Sequence, residues 1–316
     1  MKILITGASG YIGSCLYFYL KNKFYVSGID KIQNRLVPIK KCNLLNYNKL
    51  NNFLKKEKPN LIIHLAAQSL VDETINKEKY YLNNVVATKN LVNSMKKNGL
   101  NNLIFSSTSA LYKQKNRAIS EIDQTQPKST YAKTKYECEK IIKKSKINSI
   151  ILRFFNVCSS LKIKNKIIGE FHNPETHLIP LILQAASGRK DKITIHGDDY
   201  PTKDGTCVRD YIHVMDLADA HLLALNKLSQ NQLSEVYNIG NSRGFSVREI
   251  IEAVKKITGK KIDIEIQSRR KGDPAELVAD NQKIKSELNW TAKNSDLDKI
   301  ISSAWRWEQK LLTFKQ

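Results

Sequence analysis

The stretch Lys2-Ile-Leu-Ile-Thr-Gly7-Ala-Ser-Gly10-Tyr-Ile-Gly13-Ser-Cys-Leu16 decides how this chain folds. An apolar run of strand length passes directly into Gly-x-x-Gly-x-x-Gly, and that loop opens a segment that reads as a helix over residues 11–21. Glycines here let the backbone turn tightly and approach a diphosphate, while the helix N-terminus behind them offers N–H donors and a favourable dipole. A glycine set of this kind also fits a plain tight turn. Its position at the end of the first strand is what makes it a dinucleotide loop. Asp30 closes a second predicted strand, residues 24–30. Its carboxylate can accept both ribose hydroxyls of an adenosine and would repel a 2′-phosphate, which favours NAD. Lys31 and Arg35 leave some room for NADP.

Outward from this loop, short strands alternate with helices through the first half of the chain. Strands are expected over residues 60–65, 102–107 and 149–154, and a helix over 131–144. Such alternation predicts an α/β fold with a doubly wound parallel Rossmann sheet covered on both faces. After Asn156 the pattern changes. Residues 158–177 read as a polar loop, followed by a helix at 178–187 and a strand at 192–196. A helix at 215–228 carries Asp216 near its N-terminus, and a strand at 235–239 ends in Gly240. The remainder reads as a helix, a strand at 261–266, a basic turn and two helices. The expected organisation is a cofactor-binding domain, residues 1–156 plus about 211–241, and a smaller interleaved α/β lobe, 157–210 plus 242–316.

With 316 residues, the chain exceeds the size at which one core usually stops growing. No apolar run approaches the ~18 residues that span a bilayer, and the N-terminal apolar run is too short for a signal peptide. A cytoplasmic protein without a membrane partner is expected. The five cysteines, Cys15, Cys42, Cys138, Cys158 and Cys207, are scattered and form no Cys-x-x-Cys pair. Reduced thiols are expected, with no disulfide framework and no metal site. The formal net charge is +22, but lysine outnumbers arginine roughly fourfold and no basic run is interleaved with aromatics. This reads as a solvated lysine-rich surface that can steer an anionic substrate, and a nucleic-acid partner is not expected.

Tyr131-Ala-Lys-Thr-Lys135 offers a phenol that can move a proton and an ammonium one helical turn on. The spacing alone is weak, because Tyr17/Lys21, Tyr19/Lys23 and Tyr136/Lys140 repeat it. Ser106-Ser107-Thr108 is a hydroxyl-bearing strand end at the carboxyl edge of the sheet, where doubly wound folds bind ligands, and the family resemblance described below implies that it works with Tyr131 alone. The other three pairs read as surface or packing residues. A free phenol has a pKa near ~10, so bringing it to neutrality means stabilising phenolate by about 4 kcal/mol. Lys135 and the positive nicotinamide of NAD are expected to supply this.

Three further stretches carry a family resemblance: Ile168-Gly-Glu-Phe-His-Asn-Pro-Glu-Thr-His-Leu-Ile-Pro180, Gly197-Asp-Asp-Tyr-Pro-Thr-Lys-Asp-Gly-Thr-Cys-Val-Arg-Asp-Tyr-Ile-His-Val-Met-Asp-Leu-Ala-Asp219 and Arg269-Arg-Lys-Gly-Asp-Pro-Ala275. With the glycine loop and Tyr131, they make the chain resemble the extended short-chain dehydrogenase/reductase superfamily, within it the NAD-dependent epimerase/dehydratases, and more closely the UDP-glucose 4-epimerase family. The resemblance runs from Met1 to about Trp307. It implies an isomerase that interconverts UDP-galactose and UDP-glucose through a transient 4-keto sugar, using tightly bound NAD. Tyr131 would be the base, Lys135 its partner and Thr108 the hydroxyl on the substrate C4 oxygen. The cofactor set it implies is Gly7, Gly10, Tyr11, Ile12, Gly13, Asp30, Asn43, Leu44, Leu65, Ala66, Ala67, Asn84, Ser106, Lys135 and Phe154, with Asn83 and Gln68 nearby. For the UDP-hexose it implies Arg209 and Arg270 on the diphosphate with Asn156 orienting it, and Asp273 on the uridine ribose. His196 and His177 would lie near uracil, with Leu178 and Tyr211 alongside. Family members are often homodimers through two helices per subunit, here 81–98 and 131–144.

The chain departs from the family pattern in places. The segment from Asp30 to Cys42 is short, Asn43 stands where many members have an acid, and Lys113 replaces the glycine that commonly follows Tyr112. Leu277 holds a position that influences whether N-acetylated sugars fit, so UDP-N-acetylglucosamine is a second candidate, with UDP-xylose, UDP-arabinose and UDP-glucuronate. Nucleotide-sugar 4,6-dehydratases would have Asp-Glu after the Ser/Thr. Here Thr108 is followed by Ser109-Ala110, which cannot eliminate water. A non-catalytic NAD sensor or a nucleic-acid-binding protein on this fold would be expected to have lost Tyr131 or Lys135.

Overall fold

The computed structural model describes residues 1–33, 37–69, 76–230, 234–270 and 272–313. They form two compact units: Met1–Lys113, Glu121–Phe154 and Ala218–Asn238 make the first, and Gln114–Ser120, Phe155–Leu217 and Ile239–Gln316 the second. Residues 211–217, expected with the cofactor-binding part, cluster with the second unit, and so does the short segment 114–120.

The first unit is built on β1 (Lys2–Thr6), α1 (Tyr11–Leu20), β2 (Tyr25–Asp30), β3 (Lys40–Lys41), α2 (Tyr47–Glu57), β4 (Leu61–His64), α3 (Lys77–Tyr80), α4 (Ala87–Lys97), β5 (Asn102–Thr108), α5 (Thr130–Ser145) and β6 (Asn148–Phe154). Between α3 and α4 the helix runs on through a π-helical stretch, Tyr81–Val86. The seven-stranded sheet has the order Ser234–Ile239, β6, β5, β4, β1, β2, β3. Each pairing from β3 to β6 is parallel. The order β3-β2-β1-β4-β5-β6 is that of a Rossmann sheet, and it reverses between β1 and β4, where the glycine loop leaves β1. β4 is buried at every residue, as a strand covered on both faces must be. Leu4, Ile62, Leu103 and Phe105 from the strands meet Leu50, Leu54, Leu91, Met95 and Ile142 from the helices in one core.

The helix ends are locally encoded. Asn46 caps α2 by accepting from Lys49 N at 3.0 Å, and Ser129 caps α5 by accepting from Ala132 N at 3.2 Å. α2 and α5 stop at Lys58 and Lys146, which take the left-handed conformation. The Ser129 cap sets the rotation of α5 and so fixes where Tyr131, in its first turn, presents its phenol.

In the second unit, strand Val208–His213 pairs with Asn156–Cys158, Gly244–Ser246 and Glu276–Leu277. A second small sheet joins Lys192–His196 to Asp263–Gln267. Helices Leu178–Ala186, Val247–Thr258 and Leu297–Thr313 pack Ile179, Ile182, Ile250, Val254, Ile300 and Ile301 against Ile193, Ile195 and Tyr211. The expectation of a loop over 158–177 is corrected in part. Ser160–Ile163 and Lys166–Gly169 form an antiparallel hairpin, turned through Lys164 at φ 51°, with Leu161 and Ile168 buried. The strand Val208–His213 was not anticipated either.

Two buried polar groups carry stability predictions. Arg153 and Glu139 form a bidentate pair, Nε to Oε1 at 2.9 Å and Nη2 to Oε2 at 2.7 Å, with both side chains at most 5% exposed. Burial weighs against the guanidinium charge, but the Glu139 carboxylate outweighs it and holds the Arg153 pKa above its ordinary value. Arg153→Met leaves Glu139 buried without its cation and should cost about 3–5 kcal/mol in thermal or denaturant unfolding. His64 is buried between Thr6 Oγ1 at 2.7 Å and Thr88 Oγ1 at 3.0 Å. Burial, then the nearby Lys135 charge, lower its pKa from 6.5 to about 3. The unfolded chain therefore takes up a proton below pH 6.5 that the folded chain refuses. This contribution to stability is complete above pH 6.5 and falls, by up to about 1.4 kcal/mol per pH unit, as the pH drops towards 3. Unfolding midpoints measured across that range should show a shallower slope in His64→Gln.

Candidate active site

The glycine loop is held at atomic contact. Gly7 adopts φ +72°, and a Cβ there would lie 2.6 Å from Ala66 N; at Gly13 a Cβ would lie 2.2 Å from the Gly7 carbonyl oxygen. A side chain at Gly7 would strike the Leu65–Ala66 backbone after β4, and one at Gly13 would push α1 off the end of β1. Gly10 is the N-cap of α1, and a Cβ there meets nothing closer than 3.4 Å. With no acidic residue in the first turn, the dipole of α1 is left positive where Tyr11 and Ile12 begin the helix.

Asp30 is drawn to this loop, accepting from Ser9 N at 3.1 Å and Ile32 N at 3.3 Å. Lys31 is directed to Asn83 Oδ1 at 2.9 Å. Arg35 lies outside the described residues. Asn43 closes a turn on Leu45 N at 3.0 Å, and Leu44 is buried in the core with its carbonyl oxygen held by Asn90 at 3.0 Å. Leu65 and Ala66 follow β4 and bond back to Thr6, and Ala67 is half-buried beside them. A cradle of this shape with a carboxylate at its rim fits a dinucleotide that bears free ribose hydroxyls.

Asn84, expected to line the cofactor, is fixed by hydrogen bonds: its Oδ1 accepts from Gln68 N at 2.7 Å, and its Nδ2 donates to Gln68 O at 3.3 Å and to Thr134 Oγ1 at 3.0 Å. It ties the turn after β4 to α5, from a π-helical stretch of the kind found at functional sites. Ser106 likewise donates to His64 O at 3.1 Å, and Phe154 stacks edge-on against His221 at 5.6 Å.

The reacting groups converge at the end of β5. Thr108 accepts from Ala110 N at 3.2 Å, and its hydroxyl lies close enough to the Tyr131 phenol to favour phenolate. One turn along α5, Lys135 is 2% exposed, with Nζ 4.3 Å from the Phe105 ring centroid. The other Tyr–Lys pairs form surface contacts: Lys21, Lys23 and Lys140 lie over the rings of Tyr17, Tyr19 and Tyr136.

The electrostatics differ from the sequence expectation. Burial raises the Tyr131 pKa to about 12, and the Thr108 hydrogen bond only partly offsets it. Burial also lowers Lys135 from 10.5 to about 8. The ammonium four residues on does not make the phenol acidic, because the same desolvation that disfavours phenolate disfavours its cation.

Beneath these groups runs a network not foreseen from sequence. Ser107 donates to Glu139 at 2.6 Å, Arg153 Nη1 donates to Tyr112 Oη at 2.8 Å, and Tyr112 donates to Asn238 at 2.7 Å. A carboxylate on the inward face of α5 and an arginine within an otherwise apolar strand were the signals available.

In the second unit, Arg209 pairs with Asp273 at 3.0 Å, and the charges of Arg270, which lowers it, and Asp273, which raises it, bear on the His196 pKa after burial, which is foremost in lowering it. Tyr211 is buried two residues from Arg209, and Asn156 lies opposite it in the strand register. Asp210, fully buried, accepts from Asn241 N, Ser242 N and Ala279 N at 2.7–3.1 Å and so clamps the strand carrying Arg209. Burial lifts its pKa to about 7 against those three bonds. His177 is placed with Glu170, His172 and Glu175, and Leu178 starts the following helix and packs on the core.

Comparison with known proteins agrees with this geometry. Residues 3–240 match the model of the NAD dependent epimerase/dehydratase family. A UDP-glucose 4-epimerase of Streptococcus mutans is 41% identical, covering 97% of this chain and 96% of that protein. The crystal structure of UDP-glucose 4-epimerase from Brucella ovis in complex with NAD superposes with a TM-score of 0.92 at 35% identity, covering 97% of this chain and 98% of that one. The UDP-Glc/GlcNAc 4-epimerase of Campylobacter jejuni superposes with a TM-score of 0.83 at 35% identity, over 98% and 99% of the two chains. The glycine cradle with Asp30, the strand-end Thr108 and the Tyr131–Lys135 turn thus lie within a full-length likeness, and the chain belongs to the NAD dependent epimerase/dehydratase family.

Proposed function

We propose that this chain is a UDP-glucose 4-epimerase that interconverts UDP-galactose and UDP-glucose with resident NAD. The observation that carries the reading is the placing of Thr108 beside the Tyr131 phenol at the end of β5, with Lys135 one turn along α5. Gly7, Gly10 and Gly13 hold the cofactor diphosphate, and Asp30 the adenosine ribose. When bound, NAD accepts the hydride from the sugar C4 and returns it. Tyr131 removes the C4 hydroxyl proton, directly or through Thr108, and gives it back when the inverted alcohol forms. The 4-keto sugar turns over in between. No atom is gained or lost over the cycle.

Moving the Tyr131 pKa from about 12 to neutrality takes roughly 7 kcal/mol. Burial leaves Lys135 a weak source of that stabilisation, and a positive nicotinamide held beside Tyr131 would supply the larger part. With NAD held beside it, Tyr131 would be favoured as phenolate by the positive ring and as neutral phenol without that charge. Tyr131 is thus a base for oxidation and an acid for the return.

Arg209 and Arg270 grip the substrate diphosphate in this reading, with Asn156 orienting it, and Asp273 takes the uridine ribose. The ion pair Arg209–Asp273 supports it by presenting both groups pre-aligned. His196, Tyr211 and Leu178 complete the nucleotide side. The net charge of +22 steers the anionic substrate inward. A second reading, UDP-N-acetylglucosamine as a further substrate, is favoured by the half-buried Leu277, which is paired in register with Arg209. Homodimerisation through the helices at 81–98 and 131–144 is supported by Tyr81, 54% exposed, and Leu82, 37% exposed. A cytoplasmic setting is supported by the free thiols of Cys42, Cys138, Cys158 and Cys207; among the described residues no helix is long and apolar enough to cross a membrane.

Purified protein should convert UDP-galactose to UDP-glucose without added cofactor. Tyr131→Phe should reduce kcat about a hundred- to ten-thousandfold while UDP still binds; undiminished turnover in that variant would sink the assignment. A panel of UDP-glucose, UDP-N-acetylglucosamine, UDP-xylose and UDP-glucuronate tests the second reading. Leu277→Tyr should lower kcat/KM for the N-acetylated sugar at least tenfold more than for UDP-glucose.

A further inference from the structure

Glu170, His172, Glu175 and His177 stand together between the hairpin strand Lys166–Gly169 and the helix Leu178–Ala186, and nothing in the proposed reaction uses them as a group. One ligand atom from each lies within 4.8 Å of all the others. His172 Nδ1 is 3.5 Å from Glu170 Oε1 and 3.6 Å from Glu175 Oε2; His177 Nδ1 is 3.0 Å from Glu170 Oε1 and 2.9 Å from Glu175 Oε1. Ligands bound at ~2.0–2.2 Å to a tetrahedral zinc ion are ~3.3–3.6 Å apart, and the four nitrogen–oxygen distances, the two to Glu175 reaching different oxygens of its carboxylate, run from 2.9 to 3.6 Å around that value.

Ion pairing alone does not explain this arrangement. Each Nδ1 faces two carboxylates, yet a nitrogen can carry one proton. His172 Nδ1 is buried and makes no hydrogen bond, although two carboxylate oxygens lie just beyond reach. Protonating both imidazoles to match both carboxylates would set two cationic rings 5.0 Å apart. A dication at the common centre satisfies all four groups at once, as neutral imidazoles and carboxylates.

The supports expected around a metal site are also in place. Glu175 Oε1 accepts from Thr176 N at 2.8 Å and His177 N at 2.9 Å, which fixes its orientation. Trp307 Nε1 donates to Glu170 O at 2.7 Å, and the Trp307 ring lies so close over Gly169 that a Cβ there would be 2.3 Å away. The half-exposed His177 gives an ion access.

We propose that Glu170, His172, Glu175 and His177 form a four-coordinate site for a divalent transition metal, zinc foremost, that fastens the 170–177 segment to the helix beginning at Leu178. Two imidazoles and two carboxylates without a thiolate suit zinc, and four protein ligands close the coordination shell, so the role is structural. The site goes beyond the proposed epimerase activity and does not depend on it.

The test uses the full chain without a polyhistidine tag. After growth with zinc and gel filtration, elemental analysis should find about one zinc per chain. Protein stripped with EDTA and given cobalt(II) should develop the intense visible d–d bands of tetrahedral cobalt, and zinc should displace them. His172→Ala and Glu175→Gln should each weaken cobalt binding at least a hundredfold with unchanged circular dichroism. If one of these variants does not fold, the other and the wild-type cobalt spectrum decide. Less than about a tenth of an equivalent of zinc together with no tetrahedral bands in the wild type overturns the site, as does undiminished binding in a folded variant.

Discussion

Gly13 lies against the Gly7 carbonyl with no space for even a methyl group, and the arrangement of the first unit follows from that contact. It presses the start of α1 onto the end of β1, at the point where the sheet order reverses. The helix dipole, the turn after β4 and the carboxylate of Asp30 are thereby brought to one spot. Backbone proximity of this kind cannot be replaced by a side-chain interaction. It holds a cofactor cradle in shape by steric exclusion, and the apolar strands behind it supply the stability.

Desolvation dominates the electrostatics two strands away, at the same carboxyl edge of the sheet. Burial moves Tyr131 and Lys135 in opposite directions, so each is nearer to neutral than in water. A permanently ionised base would need a water-rich or strongly cationic surrounding. A buried neutral phenol becomes a base only when a charge arrives beside it. The Glu139–Arg153 pair, on the same helix and the adjoining strand, keeps a full ionic contact because its geometry is bidentate and Ser107 and Tyr112 bond its other polar atoms.

The parts of the fold that were legible in the sequence obey simple periods. β1, β4 and β6 are continuous apolar runs, the glycine loop is positional, and Tyr131 was selected by its neighbour at a strand end. Features that depend on distant backbone were not legible. Asp210 looks like a surface acid, but its acceptors are filled by N–H groups some 30 and 70 residues further on. The hairpin over 160–169 was hidden because lysines alternate with its few apolar residues and its turn uses Lys164 in place of glycine. Residues 114–120 cluster with the second unit through the Ile119–Ala279 bridge, a pairing that no local pattern announces. The elevated pKa of Tyr131 was missed for a related reason: spacing reveals which charges are near, but not how much water remains between them.

The parallel register that sets Leu277 beside Arg209 has an evolutionary consequence. Residues joined by one ladder share backbone shifts, so their substitutions couple instead of adding. If Leu277 borders the sugar as proposed, a change there that reshapes the room for a substituent would also tilt the strand that carries the Arg209 guanidinium. Lineages exploring new sugars from this scaffold would therefore be expected to alter both strands together, and breadth of substrate would trade against hold on the nucleotide.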